Sequence, residues 1–351
     1  MLRVDIFCTV VDNFGDAGVC WRLARQLVAE YAQNVRLYMD DIGALAQIWP
    51  EVRADLREQQ VAGVTIVRWD AATDWQTDAD VVIEAFACRL PAAYEQNMRP
   101  KFWFNLEYLT AETWADEYHN LNSPQAGGLN KIFFFPGFTD KTGGLLREHN
   151  LNVRRDTWAD LTGFVADKNV FKISLFAYTH APIEQWLSCL MASTQPVQLA
   201  VTDGQAADAV RRAGYAAGQY GALEVRFLPM LAQNMYDELL WSGDLNCVRG
   251  EDSLVRALWA GVPFAWHIYA QDDGVHWHKL DAFAQRYDGS ASWCDWQKFW
   301  NGDASIDVAP AWQNLMHDWP KIQQHAARTS QNWAQSDDLA QQLMRRCGLL
   351  A

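Results

Sequence analysis

What most constrains the fold of this chain is an alternation that runs twice through it. Short apolar runs, too brief for buried helices, are separated by stretches with helical periodicity. In the first half the apolar runs fall at 4–10, 35–39, 64–67, 81–83, 101–109 and 132–135, with an amphipathic helix at 18–30. In the second half strands are predicted at 171–178, 197–201, 225–228, 245–248 and 262–269, and helices at 182–191, 205–213, 234–241 and 254–261. Strands that alternate with helices need crossover connections, and crossovers give parallel sheets covered on both faces. Two such sheets predict two Rossmann-like domains, at residues 1–150 and 151–330. A helical tail at 331–351 is free to pack back on the first domain. The interdomain linker is expected within 142–169, which is polar and irregular.

Ligands of open α/β sheets bind at the carboxyl ends of the strands, so the residues just after each strand are the candidates. The stretch from Asp244 to Asp281 has two such ends. Arg249-Gly250 closes one strand and is followed at once by Glu251, Asp252 and Ser253 at a helix start, with Asp252 or Ser253 as the expected cap. Backbone N–H groups of a helix N-terminus beside an arginine suit a phosphate. Glu251 would repel a diphosphate, which leaves it to sugar or ribose hydroxyls, to Arg249, or to acid–base work. The next strand end is followed by Gln271 and Asp272, placed as sugar contacts by position. The same sequence pattern also fits a capped helix of no special function.

After the first strand comes D-N-F-G-D-A-G, covering Asp12, Asn13, Phe14, Gly15 and Asp16. The glycines are too few for a dinucleotide fingerprint. Two carboxylates four residues apart suit a cation or acid–base chemistry, or simply a turn in which Asp12 or Asp16 caps the helix. Tyr178 and Phe227 also sit at strand ends. A tyrosine hydroxyl there can donate to a phosphate oxygen, or be a rim tyrosine with a wet hydroxyl; a phenylalanine can stack on a base, or belong to the core.

Two metal patterns are discounted. Asp78-Ala-Asp80 precedes a strand and so lies at the amino edge, away from ligands. His267, His276 and His278 lack the spacing and companions of a zinc site. No resident metal or other cofactor is expected.

The formal net charge is −14, and the first 150 residues already hold 21 acidic against 13 basic side chains. A basic nucleic-acid face is therefore not expected, and a cationic partner is. The seven cysteines are scattered without a C-x-x-C pair, as in a reduced cytosolic protein. No leader pattern and no apolar run of the ~18 residues a spanning helix needs is read, so a cytoplasmic place without membrane association is expected.

R-G-E-D-S, then W-A-G-x-P-F-x-W-H-I-Y and K-L-D-A-F (Lys279 to Phe283), together with D-N-F-G-D-A-G-V-C-W-R-L-A-R-Q-L (Asp12 to Leu27), resemble the bacterial protein-arginine rhamnosyltransferase (EarP) family over essentially the whole chain. The resemblance implies the GT-B architecture, two Rossmann-like domains facing across a cleft. It implies an inverting, metal-independent transfer of L-rhamnose from dTDP-β-L-rhamnose to an arginine of translation elongation factor P. Asp12 and Asp16 would engage and activate the acceptor arginine. Tyr178 would contact the diphosphate and Phe227 the thymine, alongside Arg249, Glu251, Asp252 and Ser253. The segment from Met230 to Met235 is longer than the family's spacing, which leaves the base-contacting glutamine unassigned at Gln233 or a neighbour. The residues themselves support a nucleotide-sugar transferase acting on something cationic. They leave open another donor, a small-molecule acceptor, or a nucleotide-binding module without chemistry. A Rossmann oxidoreductase is disfavoured by the missing glycine fingerprint.

Overall fold

Fully apolar strands are stable only when both sheet faces are covered, and the burial of β1 (Arg3–Cys8) shows it, with every residue after Arg3 buried. The computed structural model describes residues 1–12, 14–158, 169–270 and 274–350. They divide into two units, 1–151 with 336–351, and 152–335. Asn13, Gln271 and Asp272 lie outside the described residues, as does most of the second half of the expected linker.

In unit 1, β1 is followed by α1 (Gly15–Tyr31), β2 (Asn34–Met39), α2 (Ile42–Ile48), β3 (Glu58–Val61), β4 (Val64–Arg68), β5 (Val81–Ala85), α3 (Ala92–Asn97), β6 (Phe102–Leu106), α4 (Ala115–Tyr118), β7 (Asn122–Pro124) and β8 (Asn130–Phe134). Among the described residues the sheet has the order β3-β4-β2-β1-β5-β6-β8-β7. It is parallel except for its two edge strands, β3 and β7. After α5 (Leu151–Thr157), unit 2 runs through β9 (Phe171–Leu175), α6 (Ile183–Met191), β10 (Val197–Val201), α7 (Gln205–Arg212), β11 (Gly218–Tyr220), β12 (Leu223–Phe227), α8 (Gln233–Ser242), β13 (Leu245–Arg249), α9 (Gly250–Ala260) and β14 (Phe264–His267). Its sheet order is β11-β12-β10-β9-β13-β14, parallel but for β11.

Four helices complete unit 2: α10 (Val275–Tyr287), α11 (Ala291–Trp300), α12 (Val308–His317) and α13 (Trp319–Trp333). Their tryptophans are packing residues: Trp296 and Trp300 are fully buried beside Trp186 of α6, and Trp293 is buried against Phe264 and Tyr287. The last helix, α14 (Leu339–Arg346), belongs to unit 1, where Leu339, Ala340, Leu343 and Met344 join the same core as Leu23 and Leu27 of α1.

The strand orders matter for function. Chain order reverses direction between β1 and β5 in unit 1, and between β9 and β13 in unit 2. At such a switch point the connections leave to opposite faces and a crevice opens beyond the strand ends. The D-x-D pair lies at the other edge. Asp78 pairs with Arg3 and Arg36, and Asp80 with Lys101, ahead of β5, so these carboxylates neutralise basic side chains of the sheet's amino edge.

Candidate active site

In unit 1 the chain leaves β1 at the switch point and enters α1 at Gly15. The expected cap is not formed. Phe14 is the N-cap residue and makes no side-chain cap hydrogen bond. The turn is closed instead by the backbone, with Gly15 N–H donating to the Asp12 carbonyl at 2.7 Å. Asp16, in the first helical turn and 3% exposed, reaches backwards. Its Oδ2 accepts the N–H groups of Val11 at 2.8 Å and Asp12 at 2.9 Å. One carboxylate oxygen thereby holds the loop.

The Asp16 carboxyl sits above the usual carboxylate range. Burial is the main cause; the two backbone donors oppose it, and the charges of Asp12 and Asp40 add to it. Asp12 is half-buried, and its carboxylate lies over Gly15. A Cβ at that glycine would stand 3.0 Å from Asp12 Oδ2. Asp40, after β2, was not singled out from sequence. Its Oδ1 accepts the N–H of Val10 at 2.9 Å, tying the exit of β1 to that of β2. A carboxylate just after an apolar run was the signal for it.

Across the switch point, the loop after β5 holds Phe86, Ala87 and Arg89 at positive φ (56°, 52° and 52°). Non-glycine residues adopt this conformation at a cost, and such strain concentrates at functional sites. The buried Glu84 fixes the loop by accepting the N–H of Arg89 at 3.0 Å. Nothing in the local sequence signalled the strain.

In unit 2 the corresponding turn joins β13 to α9. Gly250, at φ 65°, makes the sharp entry. Neither Asp252 nor Ser253 caps the helix: Arg249 is the N-cap residue, without a side-chain cap. Ser253 Oγ accepts the N–H of Arg249 at 3.0 Å and donates to the Arg249 carbonyl. It lies too deep in the first turn to cap, and stitches the strand end to the helix instead. Asp252 and Glu251 are half-buried in the same turn, and Asp252 Oδ2 accepts from Gln233 Nε2 at 3.4 Å. That contact places Gln233, the first residue of α8, beside the turn.

The Arg249 side chain crosses the switch point towards β9. It is 6% exposed, and its guanidinium carbon lies 4.3 Å from the ring centroid of Phe176 and 4.8 Å from that of Tyr178. Nη1 donates to the Ala177 carbonyl at 3.3 Å. An arginine held over two aromatic faces keeps its charge while its orientation is fixed. Tyr178 is 5% exposed, so it is a buried residue and not a rim one, with its ring packed against those of His180 and Tyr269.

Phe176 was missed from sequence, although it stands two residues before Tyr178 on the same strand exit. His267, weighed from sequence only as a discounted zinc ligand, has a positioning role instead. It pairs in register with Arg249 and is completely buried, and its Nδ1 accepts the N–H of Tyr178 at 3.2 Å. Burial first, then the nearby His180 and Arg249, push its pKa well below normal, so it is a neutral imidazole that holds the Tyr178 backbone. His276 and His278 are not brought into a metal-ligand cluster with it among the described residues. Phe227 ends β12 half-buried, not in the core, and the Arg211 guanidinium covers one face of its ring at 4.5 Å.

The two turns therefore differ in charge. One gathers carboxylates alone at a switch point; the other sets Arg249 and aromatic rings beside the Glu251 and Asp252 carboxylates. The model of the elongation-factor-P (EF-P) rhamnosyltransferase EarP family matches residues 4–348. The chain belongs to that family. A protein-arginine rhamnosyltransferase of Pseudomonas putida is 46% identical to this chain, covering 97% of each. The enzyme of that name from Pseudomonas aeruginosa is 44% identical, covering 98% of each. A solved structure described as the structural basis for EarP-mediated arginine glycosylation of translation elongation factor EF-P superimposes with a TM-score of 0.68. It is 34% identical and covers 99% of this chain and 100% of its own. An α-glucosyltransferase solved with UDP shares the fold at 8% identity, with a TM-score of 0.52 and 99% of each chain covered. The fold is thus of the GT-B glycosyltransferase class. No helix among the described residues is long and apolar enough to cross a membrane.

Proposed function

We propose that this chain transfers L-rhamnose from dTDP-β-L-rhamnose to an arginine side chain of translation elongation factor P, with inversion and without a metal. Family membership supports a glycosyltransferase directed at protein arginine. The observation that carries the finer reading is the contrast between the turns: buried Asp16 beside Asp12 in unit 1, and Arg249 at the head of α9 in unit 2.

A guanidinium nitrogen attacks the anomeric carbon, the N–C bond forms, and the C–O bond to the diphosphate breaks. The leaving dTDP carries the departing electron pair. Arg249 and the N–H groups of α9 face that charge, with Ser253 fixing the turn and Tyr178 supplying a hydroxyl. Phe227 and Arg211 offer flat faces for the thymine. Glu251 and Asp252 are left for sugar and ribose hydroxyls.

The proton lost by the attacking nitrogen goes to Asp16. A guanidinium has a pKa near 13.8 and an ordinary aspartate near 3.9, so full transfer before attack would cost roughly 13 kcal/mol. Burial of Asp16 narrows this gap without closing it. Asp16 therefore polarises the nitrogen and takes the proton as the N–C bond forms. Asp12 holds the other guanidinium edge, so that one nitrogen stays in line with the anomeric carbon. Asp40 adds negative potential that favours the cationic acceptor.

The test is mass spectrometry of elongation factor P after incubation with this protein and dTDP-β-L-rhamnose. One added deoxyhexose on an arginine, in the α configuration by NMR, is expected. No mass shift with intact dTDP binding would favour a non-catalytic module. A shift only with another nucleotide sugar would move the donor assignment.

A further inference from the structure

Glu30 in the last turns of α1, His149 ahead of α5, and Asp338 at the head of α14 meet within unit 1. They stand well apart from the proposed chemistry. Asp16 and Glu30 are separated by about 21 Å along α1 at 1.5 Å per residue. The Asp338 side chain is 1% exposed. Its Oδ1 is used: it accepts the N–H of Gln341 at 3.0 Å, capping α14, and Gln26 Nε2 at 3.2 Å. Its Oδ2 accepts no hydrogen bond among the described residues and faces His149 Nε2 at 3.7 Å.

The other ring nitrogen, Nδ1, stands 3.5 Å from Glu30 Oε2. Glu30 is itself anchored, taking Gln26 Nε2 on Oε2 at 2.8 Å and the His149 N–H on Oε1 at 2.8 Å. A carboxylate beside Nδ1 favours the tautomer with its proton there. The Nε2 lone pair then faces the lone pairs of Asp338 Oδ2, with the Tyr31 hydroxyl 3.4 Å from the same nitrogen. Two acceptors facing each other repel unless a metal ion or a proton lies between them.

We propose that His149 Nε2 and Asp338 Oδ2 ligate a borderline divalent cation of the Zn²⁺ type, with Glu30 orienting the imidazole through Nδ1. Zn–N and Zn–O bonds of about 2.1 Å set two tetrahedral ligands about 3.4 Å apart, a few tenths of an ångström from the observed separation. A carboxylate behind the ligating histidine is the usual outer partner in such sites. His149 is 56% exposed, which gives the ion a path from solvent and room for water ligands.

The charge balance agrees. Two carboxylates, Glu30 and Asp338, lie near Arg147, whose Nη2 donates to the Ser336 carbonyl at 3.0 Å. His149 and Asp338 flank in sequence the two places where the chain passes between units, after 151 and after 335. A bound ion would fasten both passages to α1.

The test is calorimetric titration of metal-stripped, full-length protein with Zn²⁺. One site per chain is expected, weakening as pH falls from 7.5 to 5.5, because protons compete for the ligands. His149→Ala and Asp338→Asn should each weaken it at least ~10-fold, and Glu30→Gln by about 10-fold. Asp338→Asn keeps an Oδ1 acceptor for the α14 cap, and circular dichroism checks the fold. The two ligand variants also separate this site from the free thiols. No heat at millimolar Zn²⁺, or binding unchanged in both ligand variants, would overturn the proposal. So would a melting temperature that responds to pH in this range but not to Zn²⁺, since a proton would then fill the place.

Discussion

The turn after β1 and the turn after β13 share one backbone plan. Each carries the chain from a central parallel strand into a helix at a switch point. Each lacks a side-chain N-cap. Each is held by a side chain in the first helical turn that reaches back to a strand-exit N–H, Asp16 in unit 1 and Ser253 in unit 2. The difference is in the atoms used. A carboxylate spends one oxygen on the loop and brings negative charge to a helix end that would otherwise attract anions. A hydroxyl holds the loop without charge, and the α9 turn instead carries Arg249 together with the half-buried Glu251 and Asp252. The same local architecture thus carries different side chains at the two strand exits.

The most severe test of this contrast is Asp16→Asn. It keeps the shape and removes the charge, so kcat should fall at least ~10²-fold while calorimetry shows dTDP affinity nearly unchanged. Asp12→Ala should damage acceptor KM as well as kcat. Near-normal turnover by Asp16→Asn with a dead Asp12→Asn would exchange the two roles. If both variants stayed active, the unit 1 turn would be structural only.

Arg249→Ala is the matching change in unit 2. It should weaken dTDP binding by roughly 1.5–3 kcal/mol, the range for a charged hydrogen bond, and Tyr178→Phe by about 0.5–1.5 kcal/mol. Unchanged affinity in both, with folding verified by circular dichroism, would put the diphosphate elsewhere.

The turns should also differ in pH response. Asp16 must be ionised to act, and its folded pKa is raised, so kcat/KM should be lost on acidification above the usual carboxylate range. Binding of dTDP-rhamnose should stay flat through the same window, because Arg249 stays charged and His267 stays neutral. A parallel acid loss in both measurements would remove the distinction. The smallest effect is expected from Gly15→Ala. The new methyl must displace the Asp12 carboxylate slightly, so acceptor KM should rise with about 0.5 kcal/mol or less of stability change. An equal change in donor affinity would count against a local effect.

The parallel cores were legible because their strands are short, mostly apolar runs; residues 197–201 are strand from end to end, as read. The antiparallel edge strands were not. β3 is Glu-Gln-Gln-Val, β7 is Asn-Ser-Pro and β11 is Gly-Gln-Tyr, and none has an apolar run, because an edge faces water on one side. At the sites, the sequence located Asp12, Asp16, Tyr178 and Arg249 at strand ends. It could not show that Asp16 and Ser253 look backwards rather than cap. Both cap and back-bond use the same residue types within one helical turn, and only backbone angles separate them. Phe176 and the positioning role of His267 escaped for another reason. They matter through what they touch on a neighbouring strand, and register is not written locally.

The placement of α14 has a consequence for biosynthesis. Leu339, Leu343 and Met344 fill the core of a unit whose other residues end at 151. At 5–20 residues per second, roughly 200 further residues take about 10–40 s to emerge. Through that interval the first sheet waits with one hydrophobic flank uncovered, while the entire second unit has time to form. The half translated first is therefore the half completed last, and a ribosome stalled before the final helix would hold an N-terminal unit that is exposed and a C-terminal one that is whole.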